Sequence, residues 1–170
     1  MADPIIEIKE LVKRFGDRTV LDGVNVVIPE GKITVIMGGS GCGKSTLLRH
    51  LIGLHQPTSG EVWVDGRDIA GLDEKGMNEV RKKFGMLFQG SALFNSMTVG
   101  ENVAVPLKEH TDLSPEIIKI IVRVKLELVG LTGFEDFMPH EISGGMKKRV
   151  ALARAIALDP KIVFYDEPGA

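Results

Sequence analysis

The sequence predicts an α/β fold in which a run of helices interrupts a core of strands and helices. Three observations support this prediction. β-branched apolar runs alternate with glycine-rich or proline-containing turns up to about residue 90. Apolar residues then recur at helical spacing over residues 91–158, and an apolar run at 162–165 returns to a strand pattern. We therefore expect one domain over 1–170, with an α/β core at 1–90 and 159–170 and a helical subdomain at 91–158.

The first part of the chain is predicted to be mostly strands. Strands are expected at 5–9, 24–28, 33–37, 61–66 and 84–88, with residues 11–16 leading into a loop. The run 33–37 is continuously apolar, as in a strand that is buried on both faces. A helix starts at Ser45, and Asp73 could cap a short helix that runs through Lys83.

The helical part is predicted to contain helices at 99–107, 115–129 and 144–158. Ser114 followed by Pro115 places a capping residue before a proline at the first helical position, which is a strong start signal. Gly130 ends that helix, and Ser143 could cap the next one.

A phosphate-binding loop follows the predicted strand at 33–37. The motif G-x-x-x-x-G-K-[ST] is matched without exception, and the predicted nucleotide contacts are Gly38, Gly39, Ser40, Gly41, Cys42, Gly43, Lys44, Ser45 and Thr46. Glycines let backbone N–H groups converge on a polyphosphate, Lys44 adds a point charge, and the Ser45 hydroxyl can bind Mg²⁺. The positive N-terminus of the following helix favours the same anion. The alternative, a glycine-rich turn that binds nothing, does not explain the strand before it and the helix after it.

Composition limits the functional class. The 170 residues include 21 basic and 23 acidic side chains, a formal charge of −2 that argues against a nucleic-acid-coating surface. The single cysteine, Cys42, excludes an internal disulfide and suits a reducing compartment. A thiol reagent could block nucleotide binding there, but the favoured interpretation of Cys42 is simply a small loop residue. No signal peptide and no apolar run of about 20 residues is present, so we expect a soluble protein that could sit on a membrane partner.

Two carboxylates follow the last apolar run. Asp166 could bind Mg²⁺ through water, and Glu167 could polarise an attacking water. Acidic residues after a strand are common, so this pattern indicates a nucleotide site only because the chain also contains a phosphate loop.

A second anion-binding helix start lies at Ser143, Gly144 and Gly145, since a plain cap explains the serine but not two glycines. Together with the phosphate loop, it resembles the ATPase subunit of ABC (ATP-binding cassette) transporters, whose signature is usually written L-S-G-G-Q. Ile142 stands here for the leucine and Met146 for the glutamine. The resemblance covers residues 5–168 and implies a phosphate-loop NTPase (RecA-like) core with antiparallel β strands and a helical subdomain.

The resemblance also implies roles for individual residues. Phe15 matches the aromatic that stacks on adenine, unless it is an ordinary buried phenylalanine. Gln89 matches the glutamine that reaches Mg²⁺ and the attacking water, unless it is a surface glutamine. The implied catalytic residues are Glu167, Gln89 and Lys44, and the implied metal ligands are Ser45, Gln89 and Asp166.

The function implied by the family is ATP hydrolysis that drives transport, with ATP and Mg²⁺ as cofactors. Two subunits meet head to tail, and each ATP lies between one phosphate loop and the other chain's signature helix. The implied partner is a transmembrane permease, and the implied location is peripheral, on the cytoplasmic face of the inner membrane. The spellings at 87–94 and 143–155 are similar to the Mla/MCE-type phospholipid-transport (toluene-tolerance) ATPases. That subclass adds a possible lipid-binding partner, but amino-acid importers share most of the same skeleton.

Two other functions fit less well. Soluble ABC ATPases that act on nucleic acid or ribosomes tend to have coiled-coil arms or two cassettes, and this chain has neither. An unrelated kinase or GTPase would not need the serine and glycine helix start, and no Asn-Lys-x-Asp is present.

The family pattern continues beyond residue 170 with a loop aspartate and a strand that ends in a histidine near the γ-phosphate. None of the four histidines, His50, His55, His110 and His140, matches that position. We therefore expect a fragment that ends after the carboxylate motif and hydrolyses ATP poorly by itself, with histidines that are structural or solvent-facing.

The stretch 91–99 follows Gln89 and is apolar-rich. In the resembling family this region receives a short helix of the permease, so Leu93, Phe94 and Met97 could form an apolar contact surface, with Glu101 facing a basic partner residue. Local packing of the phenylalanine and methionine is the alternative.

Overall fold

The fold is given by a computed structural model that describes residues 4–88 and 90–166. The described chain forms two compact units, one that extends up to Arg81 and one that begins at Lys82. Within the described residues, no helix has the length and hydropathy needed to span a bilayer.

The first unit is built on an antiparallel sheet. Its elements are β1 (Pro4–Phe15), β2 (Arg18–Pro29), α1 (Lys44–Leu51), β3 (Ser59–Val64), β4 (Arg67–Asp68) and α2 (Glu74–Arg81). The strand order is β2-β1-β3-β4. Ile6 and Ile8 of β1 pair with Val64 and Val62 of β3, and all four side chains are buried. Alternate residues of two adjacent strands therefore form the core of this unit.

The second unit combines a two-stranded parallel sheet with a helical core. Its elements are β5 (Phe84–Leu87), α3 (Val99–His110), α4 (Pro115–Leu128), a short 3₁₀ helix (Pro139–Glu141), α5 (Gly144–Ala155) and β6 (Ile162–Tyr165). β5 and β6 pair in register from Phe84 opposite Ile162 to Leu87 opposite Tyr165. Val99, Val103, Leu107, Leu126 and Val150 belong to one buried cluster that joins α3, α4 and α5.

Three predicted helix starts are confirmed. Asp73 Oδ1 accepts a hydrogen bond from the Gly76 N–H at 2.8 Å, immediately before α2. Ser143 Oγ accepts from the Met146 N–H at 3.2 Å and caps α5. Pro115 begins α4 after Ser114, whose side chain makes no capping hydrogen bond. The local signals were sufficient here because a cap needs only neighbouring residues.

The predicted strand at 33–37 is not formed. This segment belongs to neither sheet, and Ile33 and Met37 are 96% and 87% exposed. An apolar β-branched run is suited to a doubly buried strand, but a strand also needs hydrogen-bonded neighbours. No strand among the described residues pairs with it.

The first predicted strand, at 5–9, is longer than expected, because β1 continues through Phe15 before the chain turns at Gly16 and Asp17. The register with β2 shifts between Ile8 and Leu11, and Glu10 between them has a φ of 47°. Such a bulge disrupts the strict alternation by which a strand is recognised in sequence. The extension carries Phe15 to the end of the strand.

Candidate nucleotide-binding site

The loop before α1 favours glycine at two positions for different reasons. Gly43 has a φ of 100°, and a Cβ there would lie 3.0 Å from Leu21 Cδ2 and 3.2 Å from the Val20 carbonyl oxygen. A Cβ on Gly38 would lie 2.6 Å from Cys42 Sγ. The backbone therefore turns sharply into α1 and stays free of side-chain bulk.

Lys44 folds back over this loop. Its Nζ donates hydrogen bonds to the carbonyl oxygens of Gly38 and Gly39, both at 2.8 Å. The third N–H of the ammonium points to Cys42 Sγ at 3.9 Å, and thiol sulfur is a weak acceptor that a phosphate oxygen could replace. Ser45 is exposed in the first turn of α1, where helical N–H groups have no partner within the helix. This loop and helix start combine a positive charge, free donors and a helix dipole, which suits a phosphate.

Phe15 lies at the end of β1 with its side chain 47% exposed. The Nζ of Lys13 lies 5.1 Å from the centre of the phenyl ring, and the His55 ring contacts it in a T-shaped arrangement at 5.6 Å. An aromatic side chain that is half exposed and held by neighbours can offer its remaining surface to a planar ligand.

The start of α5 presents a second set of small residues. Ser143, Gly144 and Gly145 are exposed, and a Cβ on either glycine would meet no other atom within 4 Å. Packing within the chain therefore does not require these glycines. Ile142 is buried, and Met146 packs against the helical core, so the two positions that depart from the family spelling carry inward-facing side chains.

Asp166 directly follows β6. Its backbone N–H donates to the Leu87 carbonyl oxygen at 3.0 Å, so the carboxyl ends of the two parallel strands meet there. Gln89 and Glu167, the other two residues predicted at this edge, lie outside the described residues. In the part of the chain that is described, no group of three His, Cys, Asp or Glu side chains is arranged to hold a metal.

The loop at 91–98 separates its apolar side chains. Phe94 is 48% exposed, whereas Leu93 packs against the helical core and Met97 is half-buried. Glu101 Oε2 accepts from the Thr98 N–H at 2.8 Å in a capping box at the start of α3. The predicted contact surface therefore consists mainly of Phe94, and Glu101 is already used by the backbone.

A cavity of about 520 Å³ lies beside this loop, between α3 and α4. Apolar side chains such as Ile118 and Val122 form its walls, and its charged residues are Glu101, Lys108, Lys119, Arg123, Glu135 and Asp136. Both signs of charge line the cavity, so it suits a polypeptide segment of mixed polarity better than a simple anion.

Sequence reasoning missed Arg154 of α5. Its guanidinium donates to the carbonyl oxygens of Ala92 at 2.9 Å and Ser91 at 3.1 Å. Burial lowers the pKa of Arg154, but a guanidinium stays protonated in proteins. Ser91 and Ala92 have φ values of 69° and 45°, so Arg154 stabilises a strained turn right after the Gln89 position. The residue types at these two positions, serine and alanine, do not indicate a positive φ.

Comparison with protein families gives a match over residues 21–170 to the family described as ABC transporter. Among curated proteins, the chain is 50% identical over 168 residues to "Intermembrane phospholipid transport system ATP-binding protein MlaF" of Haemophilus influenzae. It is 46% identical to the protein of the same name in Escherichia coli K12 and 49% identical to "Probable ribonucleotide transport ATP-binding protein mkl" of Mycobacterium leprae. These alignments cover 99%, 96% and 96% of this chain but only 64%, 61% and 47% of the relatives, in that order. The chain thus spans less than two thirds of the curated relatives it matches.

Two solved structures are similar over nearly the whole chain. One is the dimeric ATP-binding cassette MJ0796 in a post-hydrolysis state with ADP and Pi, with 35% identity and a TM-score of 0.86 over 96% of this chain and 74% of that one. The other is cbiO1 of Clostridium perfringens, part of the transporter complex cbiONQ, with 32% identity and a TM-score of 0.88 over 98% of this chain and 67% of that one.

Proposed function

The chain belongs to the ABC transporter family, and on that basis we propose that it is the ATP-binding part of a membrane transporter for phospholipid or related hydrophobic molecules. The observation that carries this proposal is the phosphate loop. Lys44 and the sharp turn at Gly43 put a cation and free backbone donors at the start of one helix. In this proposal ATP binds there through its phosphates, and its adenine stacks on Phe15.

From the motif positions we propose Ser45, Gln89 and Asp166 as the protein ligands of Mg²⁺, because hydroxyl, amide and carboxylate oxygens are the hard donors that this ion prefers. Phosphate oxygens of ATP would complete the ligand set, as Mg²⁺ sites on nucleotides generally require. The bound ion would neutralise phosphate charge. We assign Glu167 and Gln89 to orienting the attacking water and Lys44 to the phosphates, all as proposals from the motif positions.

Hydrolysis requires a second copy in this proposal. The exposed glycines at the start of α5 leave room for a group from outside the chain, which supports the head-to-tail arrangement with another subunit's ATP. One similar solved structure is described as dimeric with ADP and Pi.

We retain residues 91–158 as the helical subdomain and 1–90 with 159–170 as the nucleotide core.

The permease partner is proposed to bind at Phe94 and the neighbouring cavity. An exposed phenylalanine on a backbone that is fixed by hydrogen bonds is a suitable anchor for a helix. The subunit would then be peripheral on the cytoplasmic face of the inner membrane, with a lipid-binding protein as a further possible partner. The net charge of −2 does not favour nucleic acid as a partner.

The substrate class rests on names of relatives. The Haemophilus influenzae and Escherichia coli relatives are described as phospholipid transport proteins, which favours lipid. The mycobacterial relative is described as a probable ribonucleotide transport protein at similar identity, which makes nucleotides a second candidate.

The test is reconstitution of the full-length protein with its co-purified permease in vesicles that contain either a fluorescent phospholipid or an entrapped ribonucleotide. We expect ATP-dependent movement of the phospholipid only, and none with Lys44→Ala. Movement of the ribonucleotide alone would contradict the phospholipid proposal and make ribonucleotides the substrate class. Absence of ATP binding would reject the ATPase assignment itself.

A further inference from the structure

His50 connects the phosphate-binding helix to the aromatic end of β1. It lies in α1, and its side chain is buried, with only 1% exposed. Its Nδ1 lies 2.7 Å from the Thr46 carbonyl oxygen, one turn closer to the phosphate loop. Because a carbonyl oxygen can only accept, Nδ1 carries the proton of the neutral ring. Nε2 is buried and has no hydrogen-bond partner among the described residues. Burial lowers the pKa of His50, so the neutral ring is favoured.

His55 continues this connection. The ring centres of His50 and His55 are 5.7 Å apart at an interplanar angle of 60°, and those of His55 and Phe15 are 5.6 Å apart at 74°. Both distances and angles are typical of attractive edge-to-face pairs. Phe15 is thus in contact with a ring that is itself anchored on α1.

The backbone around His55 is tied to both sides. The His55 N–H donates to the Arg49 carbonyl oxygen of α1 at 3.1 Å. On the other side, Lys13 Nζ donates to the Gln56 carbonyl oxygen at 2.7 Å, while the same ammonium lies over the Phe15 ring. The segment therefore fixes His55 between α1 and the end of β1. A mobile side chain at this place could not orient Phe15.

We propose that His55 is a positioning residue for base recognition: it holds the Phe15 ring in the orientation that stacks on the nucleotide base, and His50 supports it from the phosphate-binding helix. This inference rests on the proposed function, since it takes ATP as the ligand and Phe15 as its stacking residue. Its consequence is that the base and phosphate halves of the site are connected through two imidazoles in one unit.

The competing explanation is that these aromatic rings pack together for stability and have no binding role. In that case, loss of His55 would reduce stability, and its effect on ATP affinity would not depend on the residue at 15. If His55 acts through Phe15, its effect must disappear once the phenyl ring is removed. A double-mutant cycle distinguishes the two because it measures non-additivity directly.

The experiment measures ATP affinity by calorimetry for the wild-type full-length protein, His55→Ala, Phe15→Leu and the double variant. His55→Ala should weaken ATP binding about threefold to tenfold, the range of one edge-to-face aromatic pair. The double variant should bind ATP no more weakly than Phe15→Leu alone. His55→Phe, which keeps an aromatic edge, should restore affinity to within about twofold of wild type.

Three results would overturn the inference: unchanged affinity in His55→Ala, losses that multiply in the double variant, or no rescue by His55→Phe while the variant remains folded by circular dichroism. A wild-type protein that binds no ATP would reject the proposed function, and this inference with it. ATP binding that Lys44→Ala weakens, combined with any of the three results, leaves the proposed function standing and removes only the role of His55.

Discussion

The side chain of Asn102 forms a closed pair of hydrogen bonds with the backbone of Phe94. Asn102 Oδ1 accepts from the Phe94 N–H at 2.8 Å, and Nδ2 donates to the Phe94 carbonyl oxygen at 3.1 Å. Nδ2 is also within hydrogen-bond distance of the carbonyl oxygens of Met97 and Thr98, so its two hydrogens are shared among three acceptors, and the Asn102 side chain is fully buried. One residue of α3 therefore fixes the loop backbone while the Phe94 ring remains half exposed.

Replacement of Asn102 by Ala should destabilise the protein strongly. It leaves the Phe94 N–H and the Met97 carbonyl oxygen without their partner, whereas the Phe94 and Thr98 carbonyl oxygens keep the backbone N–H groups of Met97 and Asn102. We expect the loss to cost about 2–4 kcal/mol of unfolding free energy. Urea unfolding measures this change. The matched control is Asn95→Ala at an exposed position of the same loop, which should stay within about 0.5 kcal/mol of wild type. Equal effects of the two substitutions would mean that Asn102 does not fix the loop.

Replacement of Phe94 by Asp should release the permease without unfolding the subunit. The ring is 48% exposed, and the Arg154 guanidinium lies 5.8 Å from its centre, so an introduced carboxylate would find a cation nearby. We expect ATP affinity and melting temperature to stay close to wild type while co-purification with the permease falls at least tenfold, because an apolar anchor is lost. Phe94→Leu serves as the control that keeps an apolar contact. If stability collapses while association persists in the folded fraction, Phe94 is a packing residue instead.

The sequence was sufficient to predict features that are formed by residues close together in the chain, such as helix caps and the phosphate loop. Ser143 and Asp73 cap the helices that they were predicted to cap, and the predicted α/β fold class is confirmed by the solved cassettes that resemble the chain. The phosphate loop could be recognised because its glycines and lysine are adjacent in sequence.

The features that the sequence did not predict are formed by residues that are far apart in the chain. Residues 33–37 have the composition of a buried strand, but pairing decides whether a strand forms. The contact between Phe15 and His55 joins segments 40 positions apart, and the periodicity of apolar residues in the sequence does not indicate such a contact. Ser91 has a positive φ, and its carbonyl oxygen accepts a hydrogen bond from Arg154, more than 60 residues away. These features follow from tertiary contacts that local propensity does not contain.

His50 should make stability depend on pH. The folded state lowers the pKa of His50 below its ordinary value of 6.5, chiefly through burial, with further contributions from Lys13 and His55. Below about pH 6.5 the His50 imidazole binds a proton in the unfolded chain but not in the folded state. The unfolded state therefore holds more protons, and the free energy of unfolding falls as the pH falls. The loss starts near that value and ends below the folded pKa. His50→Gln should flatten this part of the curve in urea unfolding, whereas the same change at exposed His110 should not. Equal slopes in all three proteins would contradict the assignment.

Lys125 and Asp159 form an ion pair that links α4 to the loop before β6. The Lys125 side chain is only 7% exposed, whereas Asp159 is 84% exposed. Asp159→Asn keeps a residue that tolerates the φ of 49° and an Oδ1 acceptor, but it leaves the buried ammonium without its counter-charge, which should cost about 1–2 kcal/mol. Lys125→Met removes the buried charge and should be neutral or stabilising. The ranking of the two variants in thermal unfolding checks this, and the reverse order would contradict it.

The central claim is that the phosphate loop of one chain and the α5 start of another enclose the same ATP. The most direct measurement is the molecular mass of the ATP-loaded full-length protein carrying Glu167→Gln, which should retain ATP binding and slow hydrolysis. We predict a dimer with ATP and a monomer without it. Adding Ser143→Arg should abolish the dimer but leave ATP affinity within about twofold, because the arginine blocks only the neighbour's site. Adding Lys44→Ala should instead weaken ATP binding itself. A dimer that persists with Ser143→Arg, or an equal loss of ATP affinity in both variants, would contradict the claim.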